Sequence, residues 1–225
     1  MHHYDMKPAV KLVLSRQELE QSIAMPRFMQ LGPFVLAFVF AHPDSDTMQM
    51  VDAGGDYFDQ RTGDTWDLFF PGYYKSSKVN HSGKPTRSRR VGRCYTNDWY
   101  FSANGFNMLR EYVERSSAGR WQYSGDVDLV LVNGWRVEGS DPIVDWVSTI
   151  SGQITDQMAG TKTLTLGGVV ERITRDIQAA AEDPSYVVGV LTHVSATPDS
   201  HIVRDFMINA LGGIAAALGA KAFGG

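Results

Sequence analysis

Cysteine occurs once in 225 residues, as Cys94, so no intramolecular disulfide can form and no CxxC or Cys/His cluster is available for a structural zinc site. That scarcity points to a reducing compartment, and the chain reads as cytoplasmic. No uninterrupted apolar run reaches the roughly 18 to 20 residues of a membrane-spanning helix. The apolar stretch 9–14 is broken by Lys11, which denies the N-terminal region a signal-peptide core. A strong charge of one sign is also missing: 21 Lys and Arg against 25 Asp and Glu leave a formal charge of −4, so any attraction to nucleic acid or anionic membrane has to be local. Repeats and low-complexity segments are absent.

What is present is the composition of a packed domain, 43% hydrophobic and 20% charged, which excludes global disorder. The length suits one α/β core with a helical extension. Val10–Leu14 is a short apolar run. Ser15 follows as an N-cap, with Glu18 three residues on completing a capping box. Phe34–Ala41 (FVLAFVFA) has no polar alternation, the pattern of a strand buried on both faces. Asp44 or Asp46 is placed to cap a short helix through Val51. Trp66–Phe70 (WDLFF) is a second buried strand, stopped by Pro71-Gly72, and Val127–Val132 a third, with a hairpin at Asn133-Gly134 and a following strand WRVEG. Between them Phe106, Leu109 and Val113 recur at helical spacing.

From Pro142 onward helices are expected, around Ile143–Met158, Leu166–Ala181 and from about Ser200, with Tyr186–Val194 ambiguous. The expected architecture is α/β and three-layered, with a mostly parallel or mixed sheet and helices on both faces. It divides into a core over 1–141, containing a long basic loop at 71–97, and an all-helical extension over 142–225 packed on that core.

The order strand, helix, strand, helix, strand, long crossover, strand resembles thioredoxin-like folds, FVLAFVFAHPDSDTMQM having the outline of their strand entering the active-site helix. The redox chemistry does not carry over: residues 43–48 hold no cysteine, and no proline directly precedes VDLVLV. AHPDSD is similar to the AHPDDE motif of zinc-dependent N-acetylglucosaminyl deacetylases, but Ser45 stands where that family has its metal-binding aspartate. SGDVDLVLV resembles the GEIDLV strand of restriction-like nucleases. Glu138 is followed by Gly139 and Ser140, so the lysine of that family's E-x-K is missing, and Asp128 receives no metal role.

Two segments carry candidate chemistry. After the central strand, His42, Asp44 and Asp46 are candidate ligands for a divalent metal, with Asp52 or Asp56 completing a shell, and would support a metal-dependent hydrolase. The same stretch also reads as a turn plus helix cap. From Leu68 to Asn97 there are seven Lys and Arg and no Asp or Glu, which leaves −11 on the rest of the chain. Lys84, Arg87, Arg89, Arg90, Arg93 and Tyr95 are the candidate binding residues for a nucleotide or nucleic acid. Tyr73, Tyr74, Trp99 and Tyr100 offer further stacking surfaces. Seven aspartates between Asp44 and Asp67, against Arg61 alone, provide a competing internal partner for this charge. Cys94 reads as a half-buried structural thiol. The apolar segment 200–223, with Gly212, Gly213, Ala216 and Gly219, is expected to pack internally or to join a homo-oligomer or protein partner rather than to enter a membrane.

Overall fold

The structure is a computed structural model that describes residues 10–24, 32–43, 66–75, 88–94, 97–153, and 171, 174 and 175. Strand β1 is Val10–Val13, helix α1 Arg16–Ala24, β2 Gly32–Phe40 and β3 Trp66–Pro71. Strands β4 (Tyr73–Lys75), β5 (Ser88–Cys94) and β6 (Asn97–Ser102) follow, then helix α2 (Ala103–Ser116), β7 (Asp128–Arg136) and β8 (Ile143–Gln153). A five-stranded mixed sheet runs β1-β3-β2-β7-β8, its first three strands mutually parallel, with β7 antiparallel to β2 and β8 antiparallel to β7. A second sheet of three antiparallel strands runs β4-β6-β5. The three apolar runs read as strands of one sheet are β2, β3 and β7.

Burial explains the central run. Every residue from Val35 to Ala41 is at most 1% exposed, so β2 is covered on both faces. On one face Phe38 packs on Phe69 and Trp146, and Phe40 on Phe106 of α2. That face also meets the end of α1, where Lys11 Nζ donates to the Ser22 carbonyl and Arg136 to the Ile23 carbonyl. The last turn of α1 has no basic residue of its own, so cations from the sheet satisfy carbonyls that its helix leaves open. Asp67, 2.9 Å from Lys11 and 3.9 Å from Arg136, holds both in place. On the opposite face Trp66 Nε1 donates to Thr174, which is helical, as are Glu171 and Arg175. The rest of the helix expected over Leu166–Ala181, the short helix after Asp44 and the segment from Ser200 lie outside the described residues.

The start of α1 follows its sequence signal. Ser15 Oγ accepts from the Glu18 N–H, and Glu18 reaches back to the N–H of Leu14, one residue before the cap. Ser102 caps α2 by accepting from Gly105, and α2 buries Phe106, Leu109 and Val113.

Four expectations are corrected. Residues 143–153 form β8, not a helix, so the C-terminal part is not all-helical. Ile143, Trp146, Val147 and Ile150 do fall at helical spacing. The segment is nevertheless dense in β-branched residues, and its side chains alternate: Ile143 and Val147 are more than half exposed, while Val144 and Trp146 pack on the core. Asn133-Gly134 is not a hairpin. β7 continues to Arg136 because the Phe34 ring lies across Gly134, filling the space a side chain would take. WRVEG is therefore not a strand of its own: Trp135 and Arg136 end β7 and Glu138 lies in the turn to β8. The segment 71–97 is not a loop throughout, since it contains β4 and β5.

Candidate functional site

The second sheet grows from the C-terminal end of β3. Gly72 adopts φ 84°, a left-handed conformation, and a Cβ there would meet Phe106 Cβ at 2.7 Å, so only glycine makes this exit. Its N–H bonds to the Val13 carbonyl, and its own carbonyl accepts from Ser102, each at 2.8 Å. The chain therefore leaves the core and re-enters it at one point. Tyr73 and Phe101, cross-strand partners, turn toward the core: the Tyr73 hydroxyl donates to the Ala41 carbonyl at 2.7 Å, and its ring lies 5.0 Å from that of Phe101. Trp99 packs on Phe70. Tyr74 and Tyr100, the next pair, stack on each other with centroids 5.6 Å apart.

This packing corrects part of the stacking surface expected from sequence. Tyr73, Tyr74 and Trp99 are at most 4% exposed and are structural, leaving half-buried Tyr100 as the ring of this group that reaches solvent. Of the candidate basic residues, Arg89, Arg90 and Arg93 lie on β5, the strand beside β6. Arg89 is in register with Phe101, Arg90 with Tyr100 and Arg93 with Asp98, with an irregularity between Arg90 and Gly92. Lys84, Arg87 and Tyr95 fall outside the described residues. Cys94 ends β5 opposite Asn97.

At the end of β2, the His42 ring meets Phe101 and Phe106 edge-on, at 5.0 and 6.2 Å. Asp44, Asp46, Asp52 and Asp56, its proposed co-ligands, lie outside the described residues. Among the described residues no group of three or more His, Cys, Asp or Glu is arranged to hold a metal ion.

Sequence reasoning missed a polar cluster beside this edge. Asp128, buried at the start of β7, accepts from Trp121 Nε1 and the Ser124 N–H, both at 2.9 Å, and from the Ser124 hydroxyl. Burial pushes its carboxyl above the usual aspartate range, against the pull of the Ser124 and Trp121 bonds. Tyr123 is pushed up to about 12, first by burial and then by the charge of Asp128. With its oxygens taken by three donors, Asp128 organises the turn into β7. The signal was the W-x-x-S-G-D-x-D spacing, in which Ser124 and Asp128 flank Gly125 at φ 97°.

Comparison with protein-family models, with curated proteins and with solved structures finds no match for this chain.

Proposed function

We propose that this chain is a non-redox α/β binding protein that engages a phosphate-bearing ligand, a nucleotide or single-stranded nucleic acid, on the sheet β4-β6-β5. The observation that carries this reading is the pairing of β5 along β6, which puts Arg89, Arg90 and Arg93 on one paired strand with Arg90 in register with Tyr100. Guanidinium groups donate to phosphate oxygens in a fixed fork, and an aromatic ring alongside accepts a base. A paired strand also loses less conformational freedom on binding than a loop of the same charge. Lys84 and Arg87 precede β5 in the chain and Tyr95 follows it, extending the same chemistry.

The larger sheet supports a thioredoxin-like, three-layer reading of the architecture. Three parallel strands are continued by two antiparallel ones, with α1 and α2 on one face and helical Thr174 against the other. In this reading β4 to β6 are inserted after the third parallel strand, at the sheet edge where α/β proteins place ligands. The region corresponding to the family's redox motif carries His42 and Pro43 and no cysteine.

The test is fluorescence anisotropy of a labelled oligothymidylate across a salt series, with ATP as competitor. Binding should weaken by about 0.7 log units per log unit of salt for each phosphate contacted. The triple variant Arg89→Gln, Arg90→Gln, Arg93→Gln should lose binding while keeping the wild-type unfolding transition. Absence of binding by the wild-type protein at low ionic strength, or an unaffected triple variant, overturns the proposal.

A further inference from the structure

On the helical face of the large sheet, away from β5, α1 and α2 diverge over β8 and leave a cleft of about 500 Å3. Its floor is Val144 and Trp146 of β8, which alternate inward while Ile143 and Val147 face away. Ile23 of α1 and Tyr112 of α2 form apolar walls, and Glu20 and Asp141 stand at its margin. No lysine or arginine is among the lining residues. The volume is within the range of small-molecule sites, and the combination is chemically selective: electron-rich ring faces and carboxylates favour a cation, while the apolar floor favours a hydrocarbon body.

The protein's own Arg16 shows the affinity of this wall for positive charge. Its guanidinium carbon lies 4.9 Å from the Tyr112 ring centroid, and its Nε donates to Glu20 at 2.6 Å. Both partners of that ion pair are about half exposed or more, so it contributes little and yields readily to a competitor. Arg16 leaves the other half of the cleft unserved. Asp141 makes no ion pair or side-chain hydrogen bond among the described residues, and Trp146, held by Tyr112 at 5.7 Å and by Phe38 at 5.7 Å, is fixed in orientation at the floor. A ring locked from two sides and an acid without a counter-ion among the described residues need no rearrangement to receive an ammonium group.

We infer that the cleft between α1, α2 and β8 is a binding site for a small organic cation, an alkylated or aryl-bearing ammonium compound whose charge sits between Asp141, Glu20 and the Trp146 and Tyr112 rings. It is separate from the phosphate-ligand surface and stands whether or not that reading holds.

The test uses the full chain carrying 5-fluorotryptophan, with the Trp146 signal assigned through Trp146→Phe. Titration with benzyltrimethylammonium should shift the Trp146 resonance saturably, with a dissociation constant on the order of 1 mM for so small a probe. The neutral analogue benzyl alcohol should bind at least about fivefold more weakly. The exposed-site double variant Glu20→Gln, Asp141→Asn should lose a similar factor for the cation and none for the alcohol. No shift at Trp146, equal responses to the two probes, or an unchanged affinity in the double variant would each overturn the assignment.

Discussion

The close approach of Phe34 to Gly134 yields a perturbation whose sign depends on its background. A Cβ placed on Gly134 would lie 2.6 Å from Phe34 Cε1 and closer still to Cε2 and Cζ, whereas ordinary contact begins at 3.4 Å. The ring must therefore retreat by roughly 1 Å, a shift that forfeits much of its packing. It is not at liberty to do so cheaply, since the Arg136 guanidinium carbon sits 4.1 Å from its centroid and Arg136 also serves Ile23 and Asp67. Gly134→Ala should accordingly destabilise the protein by about 1 to 3 kcal/mol, the usual cost of overpacking. In a Phe34→Leu background the atoms beyond Cδ are gone. There the same substitution should be neutral or stabilising by up to about 1 kcal/mol, because alanine loses less backbone entropy than glycine on folding. Equilibrium urea unfolding of the four proteins gives the coupling directly. Equal effects of Gly134→Ala in both backgrounds would refute the claim that the ring is what keeps this position glycine.

Two further outcomes follow from buried polar groups. Thr174→Val leaves the Trp66 N–H buried without its acceptor and should cost about 1 to 3 kcal/mol, whereas Thr174→Ser should cost less than half as much; a neutral valine in urea unfolding would remove the contact between this helical segment and the sheet. Asp128 titrates above its ordinary value when folded, so its contribution to stability is fully present below the unfolded pKa and is lost as pH rises through the folded one. Thermal melts should show the stability of wild type relative to Asp128→Asn falling from acid toward neutral pH, and a difference that grows with pH would mean that the Ser124 and Trp121 bonds outweigh burial.

The parts of the fold legible in the sequence are those whose signal is local or saturated. β2, β3 and β7 are apolar without alternation, which only double-sided burial accommodates, and Ser15 stands at a helix start where a hydroxyl has orphan amides to satisfy. β8 was not legible because Ile143, Trp146, Val147 and Ile150 meet the helical and the alternating template alike, and the deciding factor is the edge of β7, which lies outside the segment. The continuation of β7 through Asn133-Gly134 depends likewise on a ring a hundred residues away. At the candidate surface, the cluster of arginines was visible as composition, but its pairing with β6 was hidden by Ser82, Gly83 and Pro85, which make the approach to β5 read as irregular. The acceptor role of Asp128 required Trp121 and Ser124 to close on it in space. The cleft over β8 left no sequence trace, since its residues come from three separate stretches of chain.

The closure at Gly72 and Ser102 has a consequence for how this protein can diversify. An excursion of the chain that departs and returns at adjoining backbone positions imposes almost no geometric demand on the body it springs from, and its length enters folding only through a slowly growing loop term. Its roots, Tyr73, Trp99 and Phe101, are committed to the core, but among the described residues the outer strand β5 pairs with β6 alone. Substitutions, insertions or grafted recognition sequences there can therefore be explored without renegotiating the five-stranded scaffold, which makes the three-stranded sheet an exchangeable module on a conserved-geometry platform.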